Sequence, residues 1–322
     1  MTVMALRLYI HRLLFIVCLP ALLGCPSRDA PDVDVAFDRT LFGEPVMQGL
    51  IEHNPIREAS GLVASRANPD VLWTHNDSGD EARLYAFNTR GEHLGVYTLD
   101  GVEARDWEDI ALGPGPEPGQ DYFYVGDIGD NRRQYGMTYV YRVPEPAVDT
   151  GQAPHDTTLT DVATIRLNYP DRRYDAETLL LDPSTKDLYV VTKRSMEVQV
   201  YRAAYPPSTT DVNMLEPVTQ LTLARVPDAS IGGQGAVAGD ISPSGLEVLI
   251  KTYDKVYYWS RATATDLLFA TAPVTLPYDE EPQGEAIGWA GDGTGYFTLS
   301  EEARSIPATL YFYPRLSPPS EQ

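Results

Sequence analysis

The sequence predicts an all-β protein folded as a β-propeller, and three features point to this class. A unit of short apolar and aromatic runs, separated by turns and polar clusters, occurs five times between Glu58 and Leu316. Each unit contains a second, tyrosine-rich run, and turns rich in glycine and proline separate its runs. Repeats of this length, made of strands and hairpins, are typical of propeller blades. We count five blades, and the longer spacings on either side of the third unit leave room for six.

Each unit supplies three strands. First strands start at five motifs that begin with an acidic residue or a glutamine: Glu58-Ala59-Ser60, Asp106-Trp107-Glu108, Asp175-Ala176-Glu177, Gln234-Gly235-Ala236 and Gln283-Gly284-Glu285. Second strands are predicted at residues 71–73, 122–125, 188–191, 248–250 and 296–299. Third strands are predicted at residues 84–87, 139–141, 198–201, 256–259 and 310–313. Such apolar runs, bounded by turn residues, are typical of strands.

A fourth, outer strand completes every blade except the last. It is predicted at residues 94–99, 162–169, 218–226 and 274–276, and the surplus residues 144–157 and 206–213 are assigned to loops. The fifth unit has no such run after its third strand, whereas an apolar stretch at residues 46–51 precedes the first unit. We therefore expect this N-terminal strand to join the last blade, which closes the ring and covers two open sheet edges.

The first 24 residues predict a lipoprotein signal peptide. Arg7 and Arg12 precede an apolar run that is too short to span a bilayer. The run ends in Leu22-Leu23-Gly24-Cys25, which resembles a bacterial lipobox and implies lipidation of Cys25; an ordinary signal peptide is the alternative. Two acyl chains on Cys25 would anchor the protein stably. We expect a flexible tether at residues 25–41, the propeller at residues 42–322, and an exported protein anchored to the cell envelope, in the outer membrane if the cell is Gram-negative.

The charge and cysteine content of the chain limit the classes of binding partner that can be expected. The formal net charge is −21, and removing residues 1–24 takes away two basic residues and no acidic one, which gives −23. Such an acidic chain argues against binding to nucleic acid or to an anionic membrane surface, and it is compatible with cation binding or with simple solubility. The only cysteine besides Cys25 is Cys18, inside the leader, so no disulfide is expected. We expect a monomer.

Polar side chains are predicted to gather at one face of the disc. First and second strands are antiparallel, so the start of one and the end of the other meet in an opening that we call the funnel. The predicted ligand-binding residues there are Glu58, His75, Glu108, Glu177, Lys193, Arg194, Lys251, Tyr253 and Glu285, with Ser60, Asp106, Asp175 and Glu301 at the same level. Ala236 replaces the acid in the fourth blade, which leaves a gap for a ligand. The alternatives are sequence drift at this position and a water-filled channel lined by solvated carboxylates.

Two loops at this face share the pattern Asp-x-Gly-Asp. The predicted metal ligands in them are Asp77 and Asp80 in the first blade and Asp127, Asp130 and Asn131 in the second. Hard oxygen ligands on a turning loop suit Ca²⁺, which accepts six to eight oxygens in loose geometry. The alternative is that these side chains only cap their own turns.

The sequence contains no nucleophile motif, since Gly-x-Ser-x-Gly is absent and the mature chain would lack a catalytic thiol. We therefore expect the funnel to bind a polar small molecule, a glycan or a peptide, with Ca²⁺ as cofactor. The first alternative is a metal-dependent phosphoester or ester hydrolase, for which His75, Glu108 and Lys193 are the candidate catalytic residues. The second alternative is a protein-interaction scaffold. Whether the protein is an enzyme stays open at this point.

Residues 56–316 resemble two groups of secreted bacterial propellers, the SdiA-regulated group and the phytase-like ("esterase-like activity of phytase") group. The resemblance rests on Glu58-Ala59-Ser60-Gly61-Leu62, Trp73-Thr74-His75-Asn76-Asp77-Ser78-Gly79, Asp106-Trp107-Glu108-Asp109-Ile110-Ala111, Asp127-Ile128-Gly129-Asp130-Asn131, Asp175-Ala176-Glu177 and Gln283-Gly284-Glu285-Ala286. It implies an envelope propeller with a carboxylate-rich, Ca²⁺-dependent face. The sequence lacks the Asp-Asp-Pro-Ala and Asn-Asn-x-Asp-x-Arg motifs of β-propeller phytases, so the resemblance bears on fold rather than on phytase activity.

Overall fold

The computed structural model describes residues 37–53, 55–151, 153–227, 229–303 and 306–316, and it contains 22 strands. The predicted leader, Cys25 and most of the predicted tether lie outside these residues, so the division at residues 24 and 41 stays a prediction. In chain order the strands are β1 Val46–Leu50, β2 Ala59–Ala64, β3 Val71–Asn76, β4 Arg83–Asn88, β5 His93–Leu99, β6 Trp107–Pro114, β7 Asp121–Asp127, β8 Thr138–Pro144, β9 His155–Leu159, β10 Ala163–Asn168, β11 Ala176–Leu181, β12 Leu188–Thr192, β13 Glu197–Ala203, β14 Val212–Met214, β15 Glu216–Thr222, β16 Ala238–Ile241, β17 Glu247–Lys251, β18 Val256–Ser260, β19 Val274–Leu276, β20 Ala286–Trp289, β21 Gly295–Leu299 and β22 Thr309–Pro314.

One short 3₁₀ helix, Ile231–Gly233, interrupts the strands of the described ranges. No helical segment of these ranges has the length and the apolar character needed to cross a membrane.

Five sheets form the five blades of the predicted propeller. Blade 1 contains β2, β3, β4, β5 and β9; blade 2 contains β6, β7, β8, β10 and β14; blade 3 contains β11, β12, β13 and β15. Blade 4 contains β16, β17, β18 and β19, and blade 5 contains β20, β21, β22 and β1. The strand β1 pairs antiparallel with β22, with Val46 opposite Phe312. The prediction that an N-terminal strand closes the ring is therefore confirmed.

The surplus residues around the third unit do not form a sixth blade within the described residues. They supply extra outer strands to the preceding blades: β9 pairs in parallel with β5 of blade 1, and β14 pairs in parallel with β10 of blade 2. The assignment of residues 144–157 and 206–213 wholly to loops was therefore wrong. Conversely, β15 ends at Thr222, before the predicted end at residue 226, and within the predicted strand the last backbone contact to blade 3 is the Leu223 amide, which donates to the Met196 carbonyl at 2.8 Å.

The hydrophobic core is divided into five clusters, and each cluster lies between two neighbouring blades. Between blades 1 and 2, Trp73 and Phe123 stack edge to face with 4.9 Å between ring centroids. Between blades 3 and 4, Val191 packs in the same cluster as Trp259. Both faces of an inner strand are thus covered, and all six residues of β3 are buried. This explains why these strands read as continuous apolar runs rather than as an alternation.

The segment before β1 joins blades 4 and 5. Phe37 forms a parallel bridge to Thr275 in β19, and Phe42 forms an antiparallel bridge to Arg315 next to β22. The Phe42 ring is fully buried, 5.2 Å from the ring of Tyr296, in the cluster between the two blades. The body of the propeller therefore includes contacts made by residues just before position 42.

We expect Phe42→Ala to destabilise the protein by about 3–5 kcal/mol, because a large buried ring is replaced by a cavity. For a domain of this size the melting temperature should fall by roughly 10 °C. Phe37→Ala is the matched control, since its side chain is 41 % exposed. Thermal unfolding followed by circular dichroism measures both variants, and equal melting temperatures for the two would contradict the assigned role of Phe42.

Candidate functional site

The funnel lies where the first strands begin, and three of these strands are irregular there. The register of β2, β6 and β11 shifts at Ser60/Leu62, Trp107/Asp109 and Ala176/Thr178 respectively. Gly61, Glu108 and Glu177 are consequently the extra residues at matching positions of blades 1 to 3. A β-bulge of this kind changes the direction of the side chains that follow it.

Asp109 lies at the propeller axis, directly after the bulge at Glu108. Its fully buried carboxylate accepts hydrogen bonds from the backbone amides of Ile110 (2.9 Å), Leu179 (2.9 Å) and Gly239 (3.3 Å). These amides belong to the inner strands of blades 2, 3 and 4. Burial raises the pKa of Asp109, and the three amides oppose that rise. This carboxylate is not solvated, in contrast to the alternative of a water-filled channel with solvated acids.

Above Asp109, five carboxylates from blades 1, 2 and 5 form what we call the acidic cluster: Asp77, Asp106, Glu108, Glu285 and Glu301. Oxygens of Asp77, Asp106 and Glu108 lie within 4.8 Å of one another, and so do oxygens of Asp77, Glu285 and Glu301. Asp77 belongs to both groups. A divalent cation could contact three of these residues at once in either group.

Burial and crowding make four acids of the cluster, Asp77, Asp106, Glu108 and Glu301, hard to ionise. Burial, followed by the neighbouring carboxylates, raises the pKa of Asp77 to about 7 and that of Asp106 to about 6. The same two causes raise the pKa of Glu301 to about 9, where Glu285 is the nearest acid. Burial also raises the pKa of Glu108.

A lysine network from blades 3, 4 and 5 lies opposite: Glu177, Lys193, Tyr253 and Glu285. The Lys193 ammonium is paired with Glu177, lies 3.2 Å from the Tyr253 hydroxyl and 3.9 Å from Glu285 Oε1. The Tyr253 hydroxyl donates to the same Glu285 oxygen. Burial opposes the charge on Lys193, but these partners outweigh it and its pKa is raised. Lys193 therefore stays protonated and compensates the negative charge of the carboxylates on its side of the funnel.

Arg194 and Asp175 form the rim beside the lysine network. The Arg194 Nε atom is paired with Asp175, its Nη2 atom lies 3.8 Å from Glu177 Oε1, and its Nη1 atom donates to the Gly232 carbonyl at 3.1 Å. On the opposite rim, Glu58 is exposed, close enough to Asp77 to help raise its pKa. The structure thus brings Glu58, Glu108, Glu177, Lys193, Arg194, Tyr253 and Glu285 to the end of the propeller where the first strands begin, and their role in ligand binding stays a prediction.

His75 lies elsewhere, fully buried behind the funnel. Its Nδ1 atom is 2.9 Å from the Asn76 carbonyl oxygen, and its ring meets Trp107 edge to face at 5.5 Å. Burial lowers the pKa of His75 to about 4, so the ring is neutral. The histidine packs blade 1 against blade 2 and does not face a ligand.

Lys251 is also fully buried, beneath the start of β20. Its ammonium donates to the Gly284 carbonyl, lies 4.0 Å from Glu281 Oε2, and lies 4.5 Å from the ring centroid of Tyr278. Burial lowers its pKa to about 8, while Glu281 opposes the shift. Lys251 therefore supports the strand that presents Glu285. Glu281 precedes the fifth first-strand motif by two residues and lies outside the repeated pattern, so sequence reasoning did not select it.

Of the predicted metal ligands, only Asp77 belongs to the acidic cluster. Asp80 accepts hydrogen bonds from Asn76 Nδ2 (2.8 Å) and from the Tyr85 hydroxyl. These contacts hold the loop after β3 in place and leave Asp77 facing the funnel.

The acids of the second loop have protein partners. Asp127 forms an ion pair with Arg105 at 2.9 Å, and Asp130 accepts the backbone amides of residues 134 and 135 at 2.7 and 2.8 Å. Asn131 is exposed. Asp130 thus caps its own turn, as the alternative interpretation of these loops stated.

Comparisons with known proteins assign the chain to no family. No family model matches the chain, and no curated protein matches it. Among solved structures, the WD40 repeats of RRP9 superpose with a TM-score of 0.43 at 9 % identity, over 84 % of this chain and 100 % of that one. A structure of U3-55K gives 0.42 at 8 % identity, over 84 % and 98 %. The resemblance to the SdiA-regulated and phytase-like groups stays a prediction.

The raised pKa values predict how stability changes with pH when divalent cations are removed. A carboxyl group whose pKa is higher in the folded protein stabilises the fold while protonated, and this contribution is lost as pH rises through the folded pKa. For Asp106 and Asp77 those values are about 6 and about 7. Because the ordinary pKa of an aspartate is 3.8, we expect the melting temperature in EDTA to fall between about pH 4 and pH 7.

Asp77→Asn should flatten this fall, because its amide does not ionise. Asp100→Asn is the control, since Asp100 is exposed. Melting curves at half-unit pH steps provide the measurement. A melting temperature that rises over this range, or a slope that Asp77→Asn leaves unchanged, would contradict the electrostatic account.

Proposed function

We propose that this chain is an exported, lipid-anchored propeller whose funnel binds a polar ligand with the help of divalent cations, Ca²⁺ in particular. The observation that carries the proposal is the arrangement around Asp77, whose carboxylate belongs to two groups of oxygens, each within 4.8 Å. Ca²⁺ takes several carboxylate oxygens in loose geometry, and such a cluster offers them.

Two further observations support a cation. The Asp77 Oδ1 atom is buried, and it has no hydrogen-bond partner in the part of the chain that the structure describes. The ion pairs found among the described residues include neither Asp77 nor Asp106 nor Glu301. Like charges at this density favour protonation unless a cation compensates them, and a bound Ca²⁺ would supply that compensation.

The opposite side of the funnel suits the ligand. Blade 4 contributes Ala236 where blades 2, 3 and 5 contribute acids, and Tyr253 and Lys193 border this gap. A carboxylate, phosphate or sugar hydroxyl could contact both the cation and these donors. Polar small molecules, glycans and peptides all include ligands that carry such a group. Hydrolysis would need a base in contact with the ligand. His75 is fully buried, and burial disfavours the ionised form of Glu108 that a base requires. We therefore propose binding rather than catalysis.

We expect Ca²⁺ to raise the melting temperature of EDTA-treated protein. At about 100 times its dissociation constant, a ligand that binds only the folded state adds about 2.7 kcal/mol, or roughly 5–10 °C here. Glu301→Gln should lower the Ca²⁺ affinity by tenfold or more, about 1.4 kcal/mol, while leaving the apo protein stable, because glutamine resembles the protonated acid. Calorimetric titration provides the affinities.

The matched control is Glu302→Gln, at the exposed neighbouring position. Its Ca²⁺ affinity should equal that of the wild type. The proposal fails if Ca²⁺ leaves the melting temperature of the wild type unchanged, or if the two glutamine variants lose affinity equally.

The anchoring part of the proposal rests on the lipobox-like motif that ends at Cys25. We expect the wild-type chain to enter the detergent phase in Triton X-114 partitioning, because two acyl chains give stable membrane attachment. Cys25→Ser should shift the protein to the aqueous phase, and Cys18→Ser should not. Detergent partitioning of Cys25→Ser equal to that of the wild type would refute lipid anchoring at this residue.

A further inference from the structure

A small pocket lies at the junction of blades 2 and 3, outside the acidic cluster and the lysine network. Its walls are the loop that joins β7 to β8 and the segment that joins β10 to β11. The pocket has a volume of about 200 Å³ and is partly open to solvent, and the residues that line it include Thr138, Asn168, Tyr169 and Arg173. No function discussed above uses it.

Two hydroxyl groups of the pocket wall are buried without a partner. Thr138 begins β8, Tyr169 directly follows β10, and the two residues are only 4 % and 8 % exposed. Neither hydroxyl forms a hydrogen bond with any residue that the structure describes. Burial raises the pKa of Tyr169, so its hydroxyl stays protonated and can donate. A buried hydroxyl without a partner destabilises a fold, whereas a ligand oxygen that accepts its proton would remove this cost.

The two walls of the pocket each carry a pair of adjacent arginines. Arg132 and Arg133 lie in the loop after β7, Arg172 and Arg173 lie in the segment before β11, and all four are exposed. The ion pairs of the described ranges include none of them. Arg173 spans the two walls, because its Nη1 atom donates to the Gln134 carbonyl at 2.7 Å. This concentration of positive charge stands out in a chain with a net charge of −21.

The acids nearest to the pocket are held by other donors. Asp130 accepts two backbone amides of its own loop at 2.7 and 2.8 Å, and Asp175 is paired with Arg194. Asp171 accepts the hydroxyl of Tyr174 at 2.7 Å. None of these three carboxylates forms an ion pair with the four arginines of the walls, so the guanidinium groups remain available to an anion from solution.

We propose that this pocket binds a tetrahedral oxyanion, phosphate or sulfate, either as the free ion or as the end group of an ester. The hydroxyls of Thr138 and Tyr169 would donate from the buried side, and the Arg173 guanidinium would donate from the open side. A tetrahedral anion offers acceptor oxygens in several directions, whereas the oxygens of a carboxylate lie in one plane. Guanidinium groups bind phosphate through charge-assisted hydrogen bonds, and the exposed arginines of both walls would attract the anion.

Calorimetric titration of the full chain with inorganic phosphate tests this proposal. The titration is done in EDTA at constant ionic strength, because EDTA removes cations that could hold phosphate in the funnel. We expect saturable binding of a single phosphate ion, and Arg173→Gln should lower its affinity at least tenfold. Arg90→Gln is the matched control, since it removes the same charge from an exposed arginine that pairs with Glu92, and its affinity should equal that of the wild type.

Tyr169→Phe distinguishes a ligand-binding hydroxyl from a structural one. Loss of a buried hydroxyl that has no partner should leave the melting temperature without phosphate equal to that of the wild type or higher. The phosphate affinity of the same variant should fall severalfold. A melting temperature well below that of the wild type, or an unchanged phosphate affinity, would overturn the proposal.

Glycerol 3-phosphate as a second titrant distinguishes the two sources of the anion. Tighter binding than that of inorganic phosphate supports an ester as the ligand, and weaker binding supports the free ion. The site is overturned if neither titrant binds saturably, or if Arg90→Gln and Arg173→Gln lose affinity equally. Loss of phosphate binding in Tyr253→Phe would also overturn it, because it would place the anion in the funnel. The test is independent of the proposed function, since a wild type that fails to respond to Ca²⁺ can still bind phosphate here.

Discussion

The carboxylate of Asp109 joins three inner strands at the axis of the propeller, and the geometry of the funnel depends on it. Its two oxygens accept amides from blades 2, 3 and 4. One side chain can reach so many strands only because a five-bladed axis is narrow. On the remaining sides the backbones themselves touch: the Gly61 amide donates to the Glu285 carbonyl at 3.3 Å. A side chain on Gly288 would come within 2.2 Å of the Leu62 carbonyl oxygen.

A closed axis confines the polar residues to a shallow opening above it. The first strands all begin there, so each acid at a strand start comes close to the acids of the next blade. Burial and repulsion then raise the pKa values of Asp77 and Asp106, whereas Lys193 compensates the acids on its own side. The asymmetry between the two sides follows from the differences among the five repeats, since blade 3 supplies Lys193 and blade 4 supplies Ala236 instead of an acid.

The repeats made the blades and the closing strand predictable, because apolar runs buried on both faces leave a strong signal in the sequence. Side-chain direction was less predictable, since it depends on register. The bulge at Glu108 lets two consecutive residues, Glu108 and Asp109, both approach blade 3, whereas strict alternation would place them on opposite faces of the strand. Lys251 is the last residue of β17, whereas Lys193 follows the last residue of β12. Lys251 therefore lies one strand position earlier than Lys193. Its ammonium lies beneath β20, whereas that of Lys193 lies in the funnel.

Some buried acids have a compensating partner within the fold, and others do not. This difference distinguishes acids with a structural role from acids available to bind a ligand. Asp109 has three amides, Asp127 has Arg105, and Glu177 has Lys193, so these acids are satisfied by the fold itself. Asp77, Asp106 and Glu301 have no such partner among the ion pairs of the described ranges, and neutral side chains of similar shape would fill the same space without repulsion. Ionisation of this cluster destabilises the fold, and a bound cation would offset that cost. A role in binding therefore explains the cluster better than a role in stabilising the fold. This contrast, rather than the number of acids in the chain, is the reason to propose a cation site at Asp77.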